Sequence, residues 1–261
     1  VKENLIIYAA KQGAASARQL QEELDCRFIG HTENRDVRTI PENTLVVTYG
    51  MGYYPDWARG KKVRWINEPE AVGRKISKVW QIEQFRMNDV PTLLLTKDRD
   101  VVRRWLRNNH QVLARQDGDM DGDGITALEG KDTEIPYAAF YTRVFPKTQE
   151  FRVHVFNGKV IDFVERRRSV RHPDAPDLIR SWKNGWIFAH NNIHLSAGLR
   201  ERLDTAAIGA VEAVGLQFGA ADILTDADGR LAVCEVNSCP GLVKDQTINA
   251  YVAAINEVYN G

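Results

Sequence analysis

The sequence predicts a mixed fold, an α/β unit followed by an α+β unit, and this rests on three features of the chain. Its first seventy residues alternate β-rich runs with helix formers, the pattern of a small parallel sheet. An aspartate–glycine tract, Asp117-Gly118-Asp119-Met120-Asp121-Gly122-Asp123-Gly124, interrupts the middle where no regular element can form. Beyond it come two hairpin signatures, Asn157-Gly158 and Asp226-Ala227-Asp228-Gly229, separated by an amphipathic helix.

Taken in order, Leu5 to Ala9 is a buried-strand run and Ala14 to Leu24 a helix. Leu45 to Tyr49 is a second strand ending at Gly50-Met51-Gly52, where glycine lets backbone approach a ligand or simply turn. Val63 to Ile66 is a third, stopped by Asn67-Glu68-Pro69. A helix from about Lys75 to Asn88 ends before Asp89-Val90-Pro91, and Thr92 to Thr96 reads as a strand. Asp98 caps a helix through Asn109, followed by a short strand at Gln111 to Arg115. Phe140 to Phe145 is β-rich, and Phe151–Phe156 and Lys159–Arg167 flank Asn157-Gly158. The stretch from Ser169 to Asn192 has no period and reads as an irregular excursion. Ser196 caps a helix with its stripe at Leu199, Leu203, Ala206, Ala207, Ala210 and Val214. Phe218–Thr225 and Arg230–Asn237 form the second hairpin, and a last helix spans Gln246 to Tyr259. These elements group as an N-terminal domain (1–74), a small subdomain (75–138) and a C-terminal domain (139–261).

The 261 residues carry 35 Lys plus Arg against 35 Asp plus Glu. With no net field, neither nucleic acid nor membrane is expected as a partner. The apolar runs are strand-sized, and the first residues lack the pattern of a signal peptide. Cys26, Cys234 and Cys239 have no metal-ligand spacing, which suits a reducing, cytoplasmic compartment.

The second hairpin concentrates the chemistry. Glu235 and Asn237 are two apart and share a sheet face. An even loop of two or four residues pairs Asp222 with Glu235 or Val233, and either register brings Asp222 to that face. Two clustered carboxylates repel unless a cation lies between them. Oxygen donors with few protein ligands suit magnesium, with a solvated hairpin face as the plain alternative.

The run GAADILTDADGRLAVCEVNSCPGL resembles the metal-binding hairpin of the ATP-grasp superfamily, which ends Glu-x-Asn, then Ser or Thr, then Pro-Gly. The resemblance implies that Asp222, Glu235 and Asn237 hold magnesium (manganese as a substitute) bridging ATP phosphates. VRWINEPEAVGRKISKVWQIEQFRMNDVPTLLLT is similar to the family's entry into its nucleotide core, where Lys78 takes the position of a phosphate-contacting lysine. VLARQDGDMDGDGI resembles the strand and glycine-rich lid loop, implying phosphate contacts from Arg115 and the backbone of Gly118, Gly122 and Gly124. Arginine stands where the family usually has lysine, and four aspartates load the loop. Their spacing fails the EF-hand pattern, because Ile125 and Glu129 each fall one position early. Phe140 to Arg143 falls where the family reads adenine from a hinge strand, which implicates Tyr141 and Thr142.

In TQEFRVHVFNGKVIDFVERRR, a two-residue Asn-Gly turn pairs Arg152 with Phe163 and puts Arg152, His154, Glu165 and Arg167 on one face. In the family this sheet carries basic residues toward the triphosphate or acyl phosphate, so the resemblance implies that role for Arg152 and Arg167, with Arg166 the alternative if the register shifts. His154 reads as a satisfied core histidine. RSWKNGWIFAHNNIHL is similar to an Asn-x-His segment feeding the active site, which implicates Asn192 ahead of His194. Within the superfamily the chain resembles the compact ATP-grasp proteins of tailed-phage genomes. The implied fold is an N-terminal α/β domain, a lid subdomain and a C-terminal α+β domain. The implied activity is ATP-dependent ligation of a small-molecule or peptide carboxylate to an amine or thiol, through an acyl phosphate. Alternatives are a kinase of the same fold and a non-catalytic nucleotide-binding module. Cys239 reads as a packed thiol.

Overall fold

The computed structural model describes residues 1–31, 40–74, 77–116, 124–242 and 244–261. The N-terminal unit comprises β1 (Lys2–Ala9), α1 (Ala14–Leu24), β2 (Cys26–Gly30), β3 (Thr44–Tyr49), β4 (Val63–Ile66) and α2 (Pro69–Arg74). Its four strands are all parallel, in the order β2-β1-β3-β4. The β1 run is continuously apolar because both sheet faces are covered. Leu5 and Ile7 pack with Leu20 of α1 on one side, whereas Ile6 and Tyr8 pack with Trp57 on the other.

Next come α3 (Lys78–Met87), β5 (Leu95–Thr96), α4 (Arg99–Arg107), β6 (Val112–Arg115), β7 (Thr126–Leu128) and β8 (Phe140–Arg143). Ser77 and Asp98 cap α3 and α4 by accepting from the Trp80 and Asp100 amides. The small sheet is antiparallel in the order β5-β8-β6-β7, with Val102 and Leu106 of α4 against Val112, Leu128 and Tyr141.

The rest is β9 (Gln149–Phe156), β10 (Lys159–Arg168), β11 (Trp186–Ala189), α5 (Ala197–Ala213), β12 (Phe218–Thr225), β13 (Leu231–Asn237) and α6 (Asp245–Asn260). The five strands form an antiparallel sheet in the order β11-β10-β9-β12-β13. Its odd-numbered β9 and β12 residues Val153, Val155, Ala221 and Ile223 pack on Ile82 and Phe85 of α3 and on Leu203, Ala207 and Ala210 of α5. At one end of the opposite face, Phe156 and Phe218 join the core of the N-terminal sheet and α6. The remainder of that face is polar and carries the site.

Two elements pack across the expected boundaries at 74/75 and 138/139. Helix α3 packs into the large antiparallel body, and β8 completes the small sheet. The expected strand 92–96 shrinks to Leu95–Thr96, because Thr92 instead bridges Val233. The excursion after Ser169 contains β11, a strand whose alternation is masked by aromatic residues at both its inward positions. Among the described residues no helix is long and apolar enough to cross a membrane.

Asn67 joins the units. At φ 61° it is fully buried; its side-chain oxygen accepts from the Gln217 (2.8 Å) and Phe218 (3.0 Å) amides, and its amide group donates to the Phe218 carbonyl (2.9 Å). Alanine leaves those backbone groups buried without partners and disfavours the left-handed backbone, so Asn67→Ala is expected to cost about 3 kcal/mol. The shift in the urea midpoint measures it.

A candidate active site between the small sheet and the antiparallel sheet

Two β-bulges set the register of the polar face. The Asn157-Gly158 turn pairs Lys159 with Phe156, as a two-residue turn must, but an extra residue at Ile161 shifts the ladder so that Arg152 faces Val164. The expected Arg152–Phe163 pairing is therefore corrected, and the residue sharing the face with Arg152 is Arg166. Arg167 points to the other side of β10, where its Nε donates to Glu165 (2.7 Å) and its terminal nitrogens to the Asn191 (2.7 Å) and Asn192 (2.6 Å) carbonyls. In the second hairpin the Asp226 carboxylate accepts from the Asp228 and Arg230 amides, holding a five-residue loop. That odd loop would turn Asp222 away from Glu235, but a bulge at Cys234 restores the parity. Asp222 lies directly opposite Glu235 on one side and Arg152 on the other.

These residues line a cleft of about 470 Å³ between the small sheet and the polar face. Arg152 grips Asp222 with two hydrogen bonds, Nε to Oδ1 (2.7 Å) and Nη2 to Oδ2 (2.8 Å). Lys78, delivered by the first turn of α3, lies 3.2 Å from Glu235, and the Asn237 amide donates to Glu235 Oε1 (3.2 Å). Burial alone raises the Glu235 carboxyl, but Lys78 and Arg152 bring it down to about 2. From β6, Arg115 enters the cleft and its Nε donates to Thr142 Oγ1 (3.1 Å). Burial lowers the Arg115 pKa.

Seven cationic side chains and four carboxylates line this cleft. The surplus suits a polyanion such as a triphosphate. Asp222 and Glu235 line the cleft, and Asn237, two residues beyond Glu235 on the same face of β13 but outside the cleft wall, can add a side-chain oxygen to a small donor set. Among the described residues no group of three or more His, Cys, Asp or Glu is placed to hold a metal. The set fits magnesium completed by phosphate and water rather than an all-protein cage.

Lys78, Arg115, Thr142, Arg152, Arg166, Asp222 and Glu235 thus converge on one cleft. Tyr141 does not: its ring is in the small-sheet core and its hydroxyl donates to the Pro136 carbonyl (2.6 Å). Asn192 is exposed at φ 57° and, like Arg167 and His194, is not part of the cleft wall. Gly118, Gly122 and the four loop aspartates lie outside the described residues; Gly124 is exposed at φ 68°. Sequence reasoning missed Lys147, Glu150 and Arg180. Glu150 takes Lys147 (3.0 Å) and Arg166 (2.9 Å) and lies two residues before Arg152, a period-two signal visible in the sequence. Lys147 and Arg180 come from irregular segments that carry no pattern.

Cys234 lines the cleft, but burial pushes its thiol up to about 12, so it stays protonated and is no nucleophile at neutral pH. Cys239 packs against Gly13 and Gly50. A Cβ on Gly50 (φ +81°) would come within 2.8 Å of the Cys239 sulfur, so these glycines admit protein rather than ligand.

Past the carboxylates the polar face ends in a buried network. Asp162 accepts from Thr247 (2.5 Å) and Gln246 (3.2 Å) and contacts His190 Nε2 (3.0 Å); His154 Nδ1 meets the Tyr251 hydroxyl at 3.1 Å. Burial, then Arg152, push the His154 pKa down to about 3. The unfolded imidazole takes up its proton near pH 6.5, so stability is expected to fall as the pH drops from about 6.5 to 4.5, with a slope of up to about 1.4 kcal/mol per pH unit. His154→Gln keeps a polar partner for Tyr251 and should flatten that slope in urea midpoints measured across the range.

No protein-family profile matches the chain, and no curated protein matches it by sequence. Solved structures do. The ATP-grasp ligase PsnB, complexed with minimal precursor, Mg and ADP, superposes with a TM-score of 0.66 at 16% identity, over 98% of each chain. D-alanine–D-alanine ligase from Bacillus anthracis gives 0.67 at 14% identity, over 98% of this chain and 96% of its own. A Chryseobacterium gregarium RiPP-associated ATP-grasp ligase, in complex with ADP and a leader and core peptide, gives 0.64 at 12% identity, over 98% and 97%. These likenesses run through all three sheets. The chain has the ATP-grasp fold.

Proposed function

We propose that this protein is an ATP- and magnesium-dependent ligase that joins a carboxylate to an amine, releasing ADP and phosphate. The observation that carries the reading is the Asp222–Glu235 pair, opposed across one ladder, compensated by Arg152 and Lys78 and set in a cation-rich cleft of the ATP-grasp fold. By their descriptions PsnB is complexed with a precursor peptide and AMPPNP, and the Chryseobacterium enzyme with ADP and a leader and core peptide, which favours a peptide or amino-acid-like substrate. A cytoplasmic site suits three free cysteines and a need for ATP.

In this reading Asp222, Glu235 and Asn237 would hold magnesium, which would supply charge neutralisation at the phosphates. Lys78 and Arg115 bind the triphosphate from the α3 and small-sheet sides. Arg152 and Arg166 orient the substrate carboxylate and stabilise charge on the phosphoryl group as it moves from ATP to that carboxylate. An amine then attacks the acyl carbon, forming the amide and expelling phosphate. No side-chain nucleophile is needed, in keeping with the protonated Cys234 thiol. The small sheet, covering the cleft, excludes water from the activated acyl group.

Lys78→Ala and Arg115→Ala are each expected to weaken ATP binding by about ten- to a hundredfold while leaving adenosine within about twofold. Calorimetry with both ligands checks this, and equal losses would make the two residues structural. Product analysis tests the reaction class. A new amide with ADP and phosphate supports the ligase, a stable phosphorylated product would make the protein a kinase, and ATP binding without turnover a nucleotide-binding module.

A further inference from the structure

Arginine and aromatic residues alternate along β10 and β11. Arg166 pairs with Phe188 and Arg168 with Trp186, so all four share the face that carries Arg152. The guanidiniums of Arg152 and Arg166 lie over Phe188 (4.5 and 4.4 Å), and those of Arg168 and Arg180 over Trp186 (5.3 and 4.4 Å). The result is a ramp of stacked guanidiniums leading from Asp222 outward. Its outer half is an open groove of about 530 Å³ curling around the end of β10. Groove and cleft share the wall formed by Lys147, Arg166, Asp177 and Arg180, so a chain lying in the groove leads into the cleft.

The charge of this groove exceeds what the protein uses internally. Lys147, Arg166, Arg167, Arg168 and Arg180 line it with Glu165 and Asp177; counting Glu150, which Lys147 and Arg166 share, and Asp222, which Arg166 shares with Arg152, six cations still meet four carboxylates. The Arg180 side chain is only 6% exposed, yet its Nε has no hydrogen-bond partner among the described residues. Stacking on a ring fixes a guanidinium's plane while leaving its edge free for bidentate recognition of a carboxylate. Both rings are already flanked by arginines and Trp186 is 6% exposed, so neither of these two rings offers a nucleobase a free face to stack on.

We infer that this groove is the docking site of the carboxylate-bearing substrate, and that this substrate is polyanionic: an acidic peptide with several Asp or Glu side chains, one of which is delivered past Arg166 and Arg152 for activation. The inference rests on the ligase reading above and adds the substrate class and its path.

Calorimetry on the full chain loaded with magnesium and the non-hydrolysable nucleotide AMP-PNP tests it, using blocked hexaglutamate, blocked hexaglutamine, citrate and oligothymidylate as probes. Hexaglutamate should bind at least tenfold tighter than hexaglutamine and weaken with salt. Arg168→Glu, which alters the groove but not the cleft wall, should weaken hexaglutamate about tenfold or more while AMP-PNP affinity stays within twofold. Citrate binding as tightly as hexaglutamate supports the carboxylate chemistry with a small polycarboxylate as its source; weaker citrate binding supports the peptide. Tighter binding of oligothymidylate than of hexaglutamate, or hexaglutamate binding unchanged in Arg168→Glu, overturns the proposal. Failure of wild-type protein to bind AMP-PNP would instead remove the ligase reading, whereas AMP-PNP binding with no preference for hexaglutamate removes only the docking site.

Discussion

Glu235→Gln is expected to lower ADP formation by about a hundredfold or more while the protein remains folded. The substitution keeps the volume and an oxygen acceptor for Asn237 but removes the charge that faces Lys78 and lies opposite Asp222. Lys78 is partly exposed and can turn to water, so the cost in stability is small. The cost in turnover is not: in the proposed reading Glu235 would hold magnesium, and losing a ligand of a metal that would neutralise the phosphates should remove several kcal/mol of transition-state stabilisation, with each 1.36 kcal/mol about tenfold in rate. Steady-state ADP release across a magnesium series measures the effect. A variant with wild-type rate and magnesium dependence would remove Glu235 from the site. The carboxyl also links to pH. Its folded pKa, about 2, lies below the unfolded value, so the stability it contributes is present above about pH 4.5 and is lost as the pH falls toward 2. Glu235→Gln should therefore flatten the acid limb of the stability curve.

Asp222→Ala is expected to destabilise the fold by about 3–5 kcal/mol, the cost of leaving one member of a buried ion pair alone. Arg152 is 14% exposed at its side chain and Asp222 9%, with two hydrogen bonds between them, and neighbouring Arg166 also draws on the same carboxylate at 3.8 Å. The double variant Arg152→Met with Asp222→Leu replaces the pair by apolar groups and should recover most of that loss without recovering turnover. Urea midpoints of Arg152→Met, Asp222→Leu and the double variant close the cycle. A single variant as stable as wild type would show that solvent reaches the pair.

What made the site legible in the sequence was parity. Glu235 and Asn237 are two apart in an apolar run, so period-two geometry puts them on one face whatever the rest of the chain does; the same spacing of Glu150 and Arg152 was there to be read and was missed. Caps at Ser196 and Asp98 and the Asn157-Gly158 turn are equally local, and all three are where the sequence places them. The choice between Arg166 and Arg167 was not local. It depends on one extra residue at Ile161, and the Asp222–Glu235 pairing depends on another at Cys234 that cancels an odd loop. A bulge leaves no mark in a run of β-formers, because every residue there suits a strand and only the packing of both faces selects the one that slips.

The sequence by itself determined that this is a chain of an α/β unit followed by an α+β unit with one oxygen-rich hairpin, since turn chemistry, capping and alternation are written in near neighbours. Only the tertiary structure decided which charges meet. Lys78 reaches Glu235 because α3 packs on the antiparallel sheet, and Arg180 enters the cleft from a segment with no period, held through Thr148 and Asp177. Tyr141, beside Thr142 in sequence, turns instead into the small-sheet core. Those placements are set by side-chain packing between elements distant in the chain, and local pattern carries no information about it.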